Sequence, residues 1–178
     1  MAAQASAIRT VAAPRATPDF SALVHEHQSM VYSLAMHFLR DPGAAEELSQ
    51  EVFLQLHRHM AGLESGEHVL FWLRRVTCHR CIDRIRRTKA RPESSIDGAP
   101  EPASAPEVGD PLLAGRLQKL VASLPPDLRA VIVLRYQEDL DPADIAEVLE
   151  LPLRTVRDHL RKGLELLRRK AASYLGEV

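Results

Sequence analysis

Residues 141–170 read DPADIAEVLELPLRTVRDHLRKGLELLRRK, and this stretch decides the fold class. Asp141 followed by Pro142 is a helix start: a carboxylate that caps free backbone N–H groups, then a ring whose missing N–H costs nothing there. Ile145, Ala146 and Leu149 give one short apolar face, and Glu150-Leu151-Pro152 breaks the helix. A second helix follows in which Leu153, Val156, Leu160, Leu164 and Leu167 recur at three- and four-residue intervals. Arg154, Arg157, Arg161 and Lys162 stand on its other side. A short apolar helix, a three-residue break and an amphipathic basic helix suit a helix-turn-helix that lays its second helix in the DNA major groove. An ordinary helical hairpin with a solvated basic face fits the same pattern.

Working outward, the rest of the chain also reads as helical. With 178 residues it can hold one ordinary domain or two small ones, and at 4% aromatic content its core is built from Leu, Val, Ile and Ala. Phe20, Leu23, Val24, His27, Met30, Val31, Leu34, Ala35 and Phe38 keep helical spacing for five turns, which Asp41-Pro42-Gly43 ends. A second helix is expected from about Ala44 to Met60, with Leu48, Val52, Phe53, Leu56 and Met60 inward and Glu46, Glu47, Gln50 and Glu51 outward. After a break at Gly62–Gly66 a third runs from about Glu67 to Lys89. Residues 92–110 are rich in proline and carboxylates, too poor in apolar content to fold, and read as a flexible linker. Beyond it, Leu117, Leu120, Val121 and Leu124 form one helix, and Leu128 to Tyr136 the next after Pro125-Pro126. The expectation is all-α: two small helical domains, residues 19–91 and 111–178, joined by the acidic linker and preceded by a disordered tail over residues 1–18.

The net charge of −1 argues by itself against a nucleic-acid partner, but the average hides a segregation. Residues 19–67 carry −6, residues 72–91 carry +7, residues 92–110 carry −5 and residues 154–170 carry +5. Two basic helices flanked by acidic segments suggest two DNA contacts and a different partner for the acid. Carboxylates of the linker near either basic helix would compete with DNA; a solubilising spacer accounts for them equally well.

Several classes are disfavoured. No apolar run approaches the roughly 18 residues of a membrane helix, and none forms a signal-peptide core. The Ala-rich first 18 residues, with Arg9 and Arg15 and no acid, resemble a transit peptide in composition, though a disordered tail suits them better. Two cysteines close together make no disulfide framework, so a reducing cytoplasm fits. There is no Gly-rich phosphate loop and no catalytic constellation, hence no enzyme and no cofactor is expected. Cys78 and Cys81 sit one helical turn apart and tempt a metal or redox reading. A structural zinc needs four ligands, and Cys78 falls among Ile82 and Ile85, so Cys78 is read as core, Cys81 is expected to matter less to it, and no metal is assigned.

The residues resemble a known family. Asp41-Pro42-Gly43-Ala44-Ala45-Glu46-Glu47-Leu48-Ser49-Gln50-Glu51-Val52-Phe53 is similar to the core-binding region of bacterial RNA polymerase sigma factors of the extracytoplasmic-function group of the sigma-70 family. Trp72-Leu73-Arg74-Arg75-Val76 through Ile82-Asp83-Arg84-Ile85-Arg86-Arg87 resembles that family's promoter-melting helix. Leu124-Pro125-Pro126-Asp127-Leu128, with Asp144-Ile145-Ala146-Glu147-Val148-Leu149, resembles its C-terminal promoter-binding domain.

The resemblance implies an alternative sigma factor that initiates transcription of a specific regulon; the alternative is a stand-alone helix-turn-helix regulator. It implies that Glu46, Glu47, Gln50, Glu51 and Phe53 dock on the clamp helices of the largest subunit of core RNA polymerase. It implies further that Trp72, Arg75, His79, Asp83, Arg84, Arg86 and Arg87 capture the opened −10 element. Arg154, Thr155, Arg157, Asp158, His159, Arg161 and Lys162 would read the −35 element. Besides promoter DNA and polymerase, family habit implies an anti-sigma factor that sequesters the protein at the membrane. Three positions depart from the family pattern. His79 stands where Asn is common and Asp158 where Ser is frequent. Glu150 occupies a turn position where many members have Gly, a cost of about 1 kcal/mol if φ is positive. Asp158 either accepts from a cytosine amino group or pairs with Arg154 or Arg161 on its own helix.

Overall fold

The computed structural model describes residues 19–63, 65–90 and 111–175; the expected N-terminal tail and acidic linker lie outside the described residues. Seven α-helices follow in order among these: α1 Phe20–Leu39, α2 Pro42–His59, α3 Gly66–Ala90, α4 Pro111–Ala122, α5 Pro126–Tyr136, α6 Pro142–Leu149 and α7 Leu153–Leu175, with a 3-10 turn Met60–Gly62 after α2. None is long and apolar enough to cross a membrane.

The helix starts follow from local chemistry. Asp19 accepts from the Ser21 N–H at 3.2 Å, Asp41 from Ala44 N–H at 2.9 Å, and Asp141 from Ala143 and Asp144 N–H at 2.6 and 3.0 Å. Each satisfies donors that a helix start leaves open. Proline follows Asp41 and Asp141 directly, where its fixed φ suits the first turn. Asp41-Pro42-Gly43 therefore starts α2 as much as it ends α1. The reversal is made at Arg40, whose left-handed backbone (φ 56°) returns its N–H to the Met36 carbonyl.

Helices α1, α2 and α3 pack on one another around Val31, Leu34, Ala35 and Phe38, then Leu48, Val52 and Leu56, then Val69, Leu73 and Cys78, all buried. Helices α4 to α7 gather around α5. Residues Ala130 to Leu134 are five consecutive buried positions, which no helix with a solvent face can show. α5 is covered by α7, α6 and α4 on one side and by α3 and α1 on the other. Gly163 of α7 permits a close approach to α5, since a Cβ there would stand 2.9 Å from Ile132 Cγ1. The helix expected through Leu117, Leu120, Val121 and Leu124 ends at Ala122: Leu117 on α4 is exposed, and Leu124, in the turn after α4, is buried in the core.

Candidate nucleic-acid interface

Helix α3 carries the candidate strand-holding side chains, and packing distributes them between two neighbours. Toward α2, Arg84 pairs with Glu47, and Arg80 reaches Glu51 at 3.2 Å and the Gln55 side-chain oxygen at 3.0 Å. Toward the C-terminal helices, Arg74 pairs with Glu138 at 2.8 Å, Arg75 with Glu150, and Arg86 with Asp127 at 2.8 Å. His79 is half-buried and lines a cavity of about 180 Å³ with Ile82, Asp83, Arg86, Asp127, Leu149 and Leu151. Trp72, also half-buried, lies with its ring 5.7 Å from that of His59. Arg87 is exposed. Thus His79, Asp83 and Arg86 come together, Trp72 stands apart beside α2's end, and Arg84 faces α2.

Arg74 and Arg80 were absent from the sequence-based set. Arg74 lies one turn before Cys78, on the side of α3 that packing covers, and it is held in a largely buried pair with Glu138. Two buried guanidinium contacts belong to Arg129 of α5, also not foreseen. It donates to the Phe38 carbonyl in the last turn of α1 at 2.6 Å, to the Leu124 carbonyl at 3.1 Å and to the Ala122 carbonyl. Carbonyls at helix ends carry partial negative charge, so these ends hold the cation where no carboxylate does. Burial, with Arg40 adding repulsion, holds its pKa below the usual arginine value.

Helix α7 presents Arg154, Arg157, Arg161 and Lys162 to solvent, with Thr155, Asp158 and His159 half-buried beside them. Asp158 pairs with Arg161 at 3.3 Å, one of the two local partners expected for it. The apolar stripe faces inward, with Val156 fully buried. Glu150, between α6 and α7, has φ 54° and ψ 40°, and its N–H caps the Ala146 and Glu147 carbonyls.

A groove of about 850 Å³ opens between α1 and α2. Phe20, Val24, Gln28 and Tyr32 line one wall; Glu46, Gln50, Phe53 and Leu54 line the other. Glu46, Gln50 and Phe53 of the expected docking set meet here, Phe53 as a buried floor. Glu47 and Glu51 instead point to α3. Leu54, 60% exposed, and Tyr32 were missed; an apolar residue interrupting an otherwise polar outer face was the available signal.

Both thiols are buried, Cys81 as completely as Cys78. The expectation that Cys81 matters less to the core is corrected: it faces the packing between α3 and Arg129. Burial pushes the Cys81 thiol up to about 12, with Arg84 and Arg129 pulling it part-way back, and burial raises Cys78 as well. Among the described residues no three His, Cys, Asp or Glu side chains are placed to hold a metal.

Family models match twice: Sigma-70 region 2 over residues 23–91 and Sigma-70 region 4 over residues 114–167. The chain is 33% identical to the ECF RNA polymerase sigma factor SigE of Mycolicibacterium smegmatis, covering 92% of this chain and 65% of that protein. It is 32% identical to SigK of Mycolicibacterium vanbaalenii, covering 94% and 89% of the two chains. In fold it is similar to the sigma factor RpoE of Bartonella quintana, solved in complex with the anti-sigma factor NepR. The TM-score is 0.71 at 16% identity, over 85% of this chain and 95% of that one. With both halves matched in order, the chain belongs to the extracytoplasmic-function group of sigma-70 factors and is an alternative sigma factor of transcription initiation.

Proposed function

We propose that this chain brings core RNA polymerase to its promoters through three surfaces, and acts without catalysis of its own. The α1–α2 groove takes the clamp helices of the largest polymerase subunit. Its chemistry suits an amphipathic helical partner: exposed Leu54 and Tyr32 supply apolar contact, and Glu46 with Gln50 supplies a polar rim. The basic side of α7 enters the major groove of the −35 element, where Arg154 and Arg157 are exposed and free of ion pairs among the described residues. Helix α3 traps bases of the −10 element after thermal opening, with Trp72 and His79 as stacking groups and Arg75, Arg84, Arg86 and Arg87 along the backbone.

The single observation that carries this reading is the order of surfaces: a helical docking groove, a basic helix with an aromatic end, then a second basic helix behind a capped turn. The same order supports two units, residues 19–91 and 111–178, with residues 92–110 between them. RpoE's complex with an anti-sigma factor supports a partner of that kind for this chain too; retention at a membrane would be that partner's doing. The test is reconstitution. The chain should co-elute with core polymerase and direct run-off transcription from a subset of a promoter library. Binding to duplex DNA without association with core would return the reading to a stand-alone regulator.

A further inference from the structure

We propose that Cys78 and Cys81 form a two-coordinate site for a monovalent soft metal ion of the Cu(I) class, with Arg129 as the charge that receives the complex. The two cysteines stand one helical turn apart on α3, a spacing that sets their Cα atoms about 5 Å from each other. Both side chains are fully buried, and both thiols are free. They face the helices that follow α3. Besides Cys81, the charges that act on Cys78 are Glu138 and Arg74, and those that act on Cys81 are Arg84 and Arg129. His79, between the two in sequence, lines the cavity with Asp83 and Asp127 instead. The pair is therefore two soft donors without a third.

Arg129 gives the second, independent sign. Its guanidinium is buried and held by main-chain carbonyls alone: Phe38 at 2.6 Å, Leu124 at 3.1 Å, and Ala122. Its Nε has no hydrogen-bond partner among the described residues, and no carboxylate there acts on it. A buried cation without an anion is costly. The one acidic group that does act on it is the Cys81 thiol. Burial keeps both thiols protonated and neutral. Cu(I) changes that balance. Two S–H bonds break, two Cu–S bonds form, and both protons leave to solvent, so the bis-thiolate carries one net negative charge beside Arg129. A disulfide or a zinc bis-thiolate would be neutral, and zinc asks for two further ligands that no described residue supplies. Thiolate softness and the charge of Arg129 select the same ion. Since the thiols face α5, the ion enters when α3 and α5 part or while the chain folds.

The test uses the full chain, reduced and free of oxygen, with Cu(I) supplied as its coloured bicinchoninate complex. The probe is given to the folded chain and, separately, during refolding from urea. The parent should withdraw one equivalent of copper, with the ultraviolet absorption of a copper thiolate appearing as it does. Because two protons leave for each ion, affinity should rise about a hundredfold per pH unit between about pH 6 and 8. Cys78→Ala and Cys81→Ala should each abolish the withdrawal. Arg129→Lys keeps the charge and should keep the site, whereas Arg129→Gln should weaken it roughly ten- to a hundredfold, the scale of a group that supports metal ligands. Zinc offered under the same conditions should stay with its indicator. Copper left with bicinchoninate by both routes overturns the site. Withdrawal that survives in either alanine variant places the copper elsewhere on the chain and overturns it too. Loss in the alanine variants with unchanged affinity in Arg129→Gln supports the thiol pair and overturns the role given to Arg129.

Discussion

Glu150 and Arg75 form an ion pair that joins the turn before α7 to the middle of α3, and Glu150 makes it from left-handed backbone. The two effects oppose each other. A side chain in that conformation costs about 1 kcal/mol relative to glycine. A part-exposed ion pair returns about 0–1 kcal/mol. Glu150→Ala should lose the pair and keep the strain, whereas Glu150→Gly loses the pair and releases the strain. Urea midpoints should place the Gly variant above the Ala variant by about 1 kcal/mol, with the parent near or between them. Equal midpoints for Ala and Gly would show that the backbone is relaxed at this position.

Gly163 sets how closely α7 lies on α5. A Cβ at 2.9 Å from Ile132 Cγ1 forces one of the two helices to move. Gly163→Ala gains about 1 kcal/mol of helix propensity and loses about 1–3 kcal/mol to overpacking. A net loss is expected, with Ile132→Ala in the same chain recovering part of it, because the added methyl then fills space that the isoleucine vacates. Thermal unfolding of the two singles and the double measures this coupling.

Much of this architecture is legible in the sequence because its signals are local. The Asp-Pro start of α6, the apolar stripe of α7 and the positive φ of Glu150 each depend on a few neighbouring residues, whereas the same Asp-Pro signal at residues 41–42 reads as the end of α1 although it also starts α2. What was not legible depends on contacts between distant segments. Nothing within α5 says that Arg129 will find the end of α1. Nothing within α3 says that Arg84 turns to Glu47 while Arg86 turns to Asp127. Spacing of three and four residues puts Trp72, Arg75, His79, Asp83 and Arg86 on one side of a helix, but it is silent about which partner covers that side. The run Ala130 to Leu134 did hold a hint: five apolar residues in succession demand burial all round, hence a second layer against α5.

The two carboxylate rows of α2 should separate in polymerase binding. Glu46, Gln50 and Leu54 line the groove, whereas Glu47 and Glu51 are engaged by Arg84 and Arg80. Leu54→Glu, at an exposed site, should weaken co-elution with core polymerase roughly tenfold or more while leaving the unfolding midpoint unchanged, as removal of an interface anchor does. Glu47→Lys should act mainly on the α2–α3 contact, lowering the midpoint by no more than about 1 kcal/mol. A stronger loss of core binding from Glu47→Lys than from Leu54→Glu would move the docking surface to the other side of α2.

For α7, Arg157 is the side chain to remove, since Arg161 is already paired with Asp158. If Arg157 grips a guanine with two hydrogen bonds, Arg157→Ala should cost about 1–3 kcal/mol and relax preference at one base pair. If it holds phosphate, binding should fall evenly over sequences and the salt slope should shrink by about one. Competition binding to single-base variants of a −35 element distinguishes the two, and an unchanged affinity at every sequence would remove this side of α7 from DNA recognition.

Cys81 should make stability fall in alkaline solution. Its thiol is held up to about 12 by burial, against an ordinary thiol value of 9.0, while Arg84 and Arg129 act the other way. Below pH 9 both folded and unfolded chains keep the proton, so the buried thiol contributes its full packing. Between pH 9 and about 12 the unfolded chain ionises and the folded one does not, so the unfolded state gains about 1.4 kcal/mol per pH unit for this group. Cys78, raised in the same direction by burial, adds to the slope. At pH 8, Cys81→Ala should be less stable than the parent by about 1 kcal/mol, the effect of a small cavity. By pH 10 that gap should close, because only the parent still carries a Cys81 thiol whose proton the unfolded chain can release. Urea midpoints of both chains across this range measure the difference directly, with the other alkaline titrations common to the two. A gap that stays constant from pH 8 to pH 10 would mean that Cys81 reaches solvent, and that the packing between α3 and Arg129 is looser than its full burial indicates.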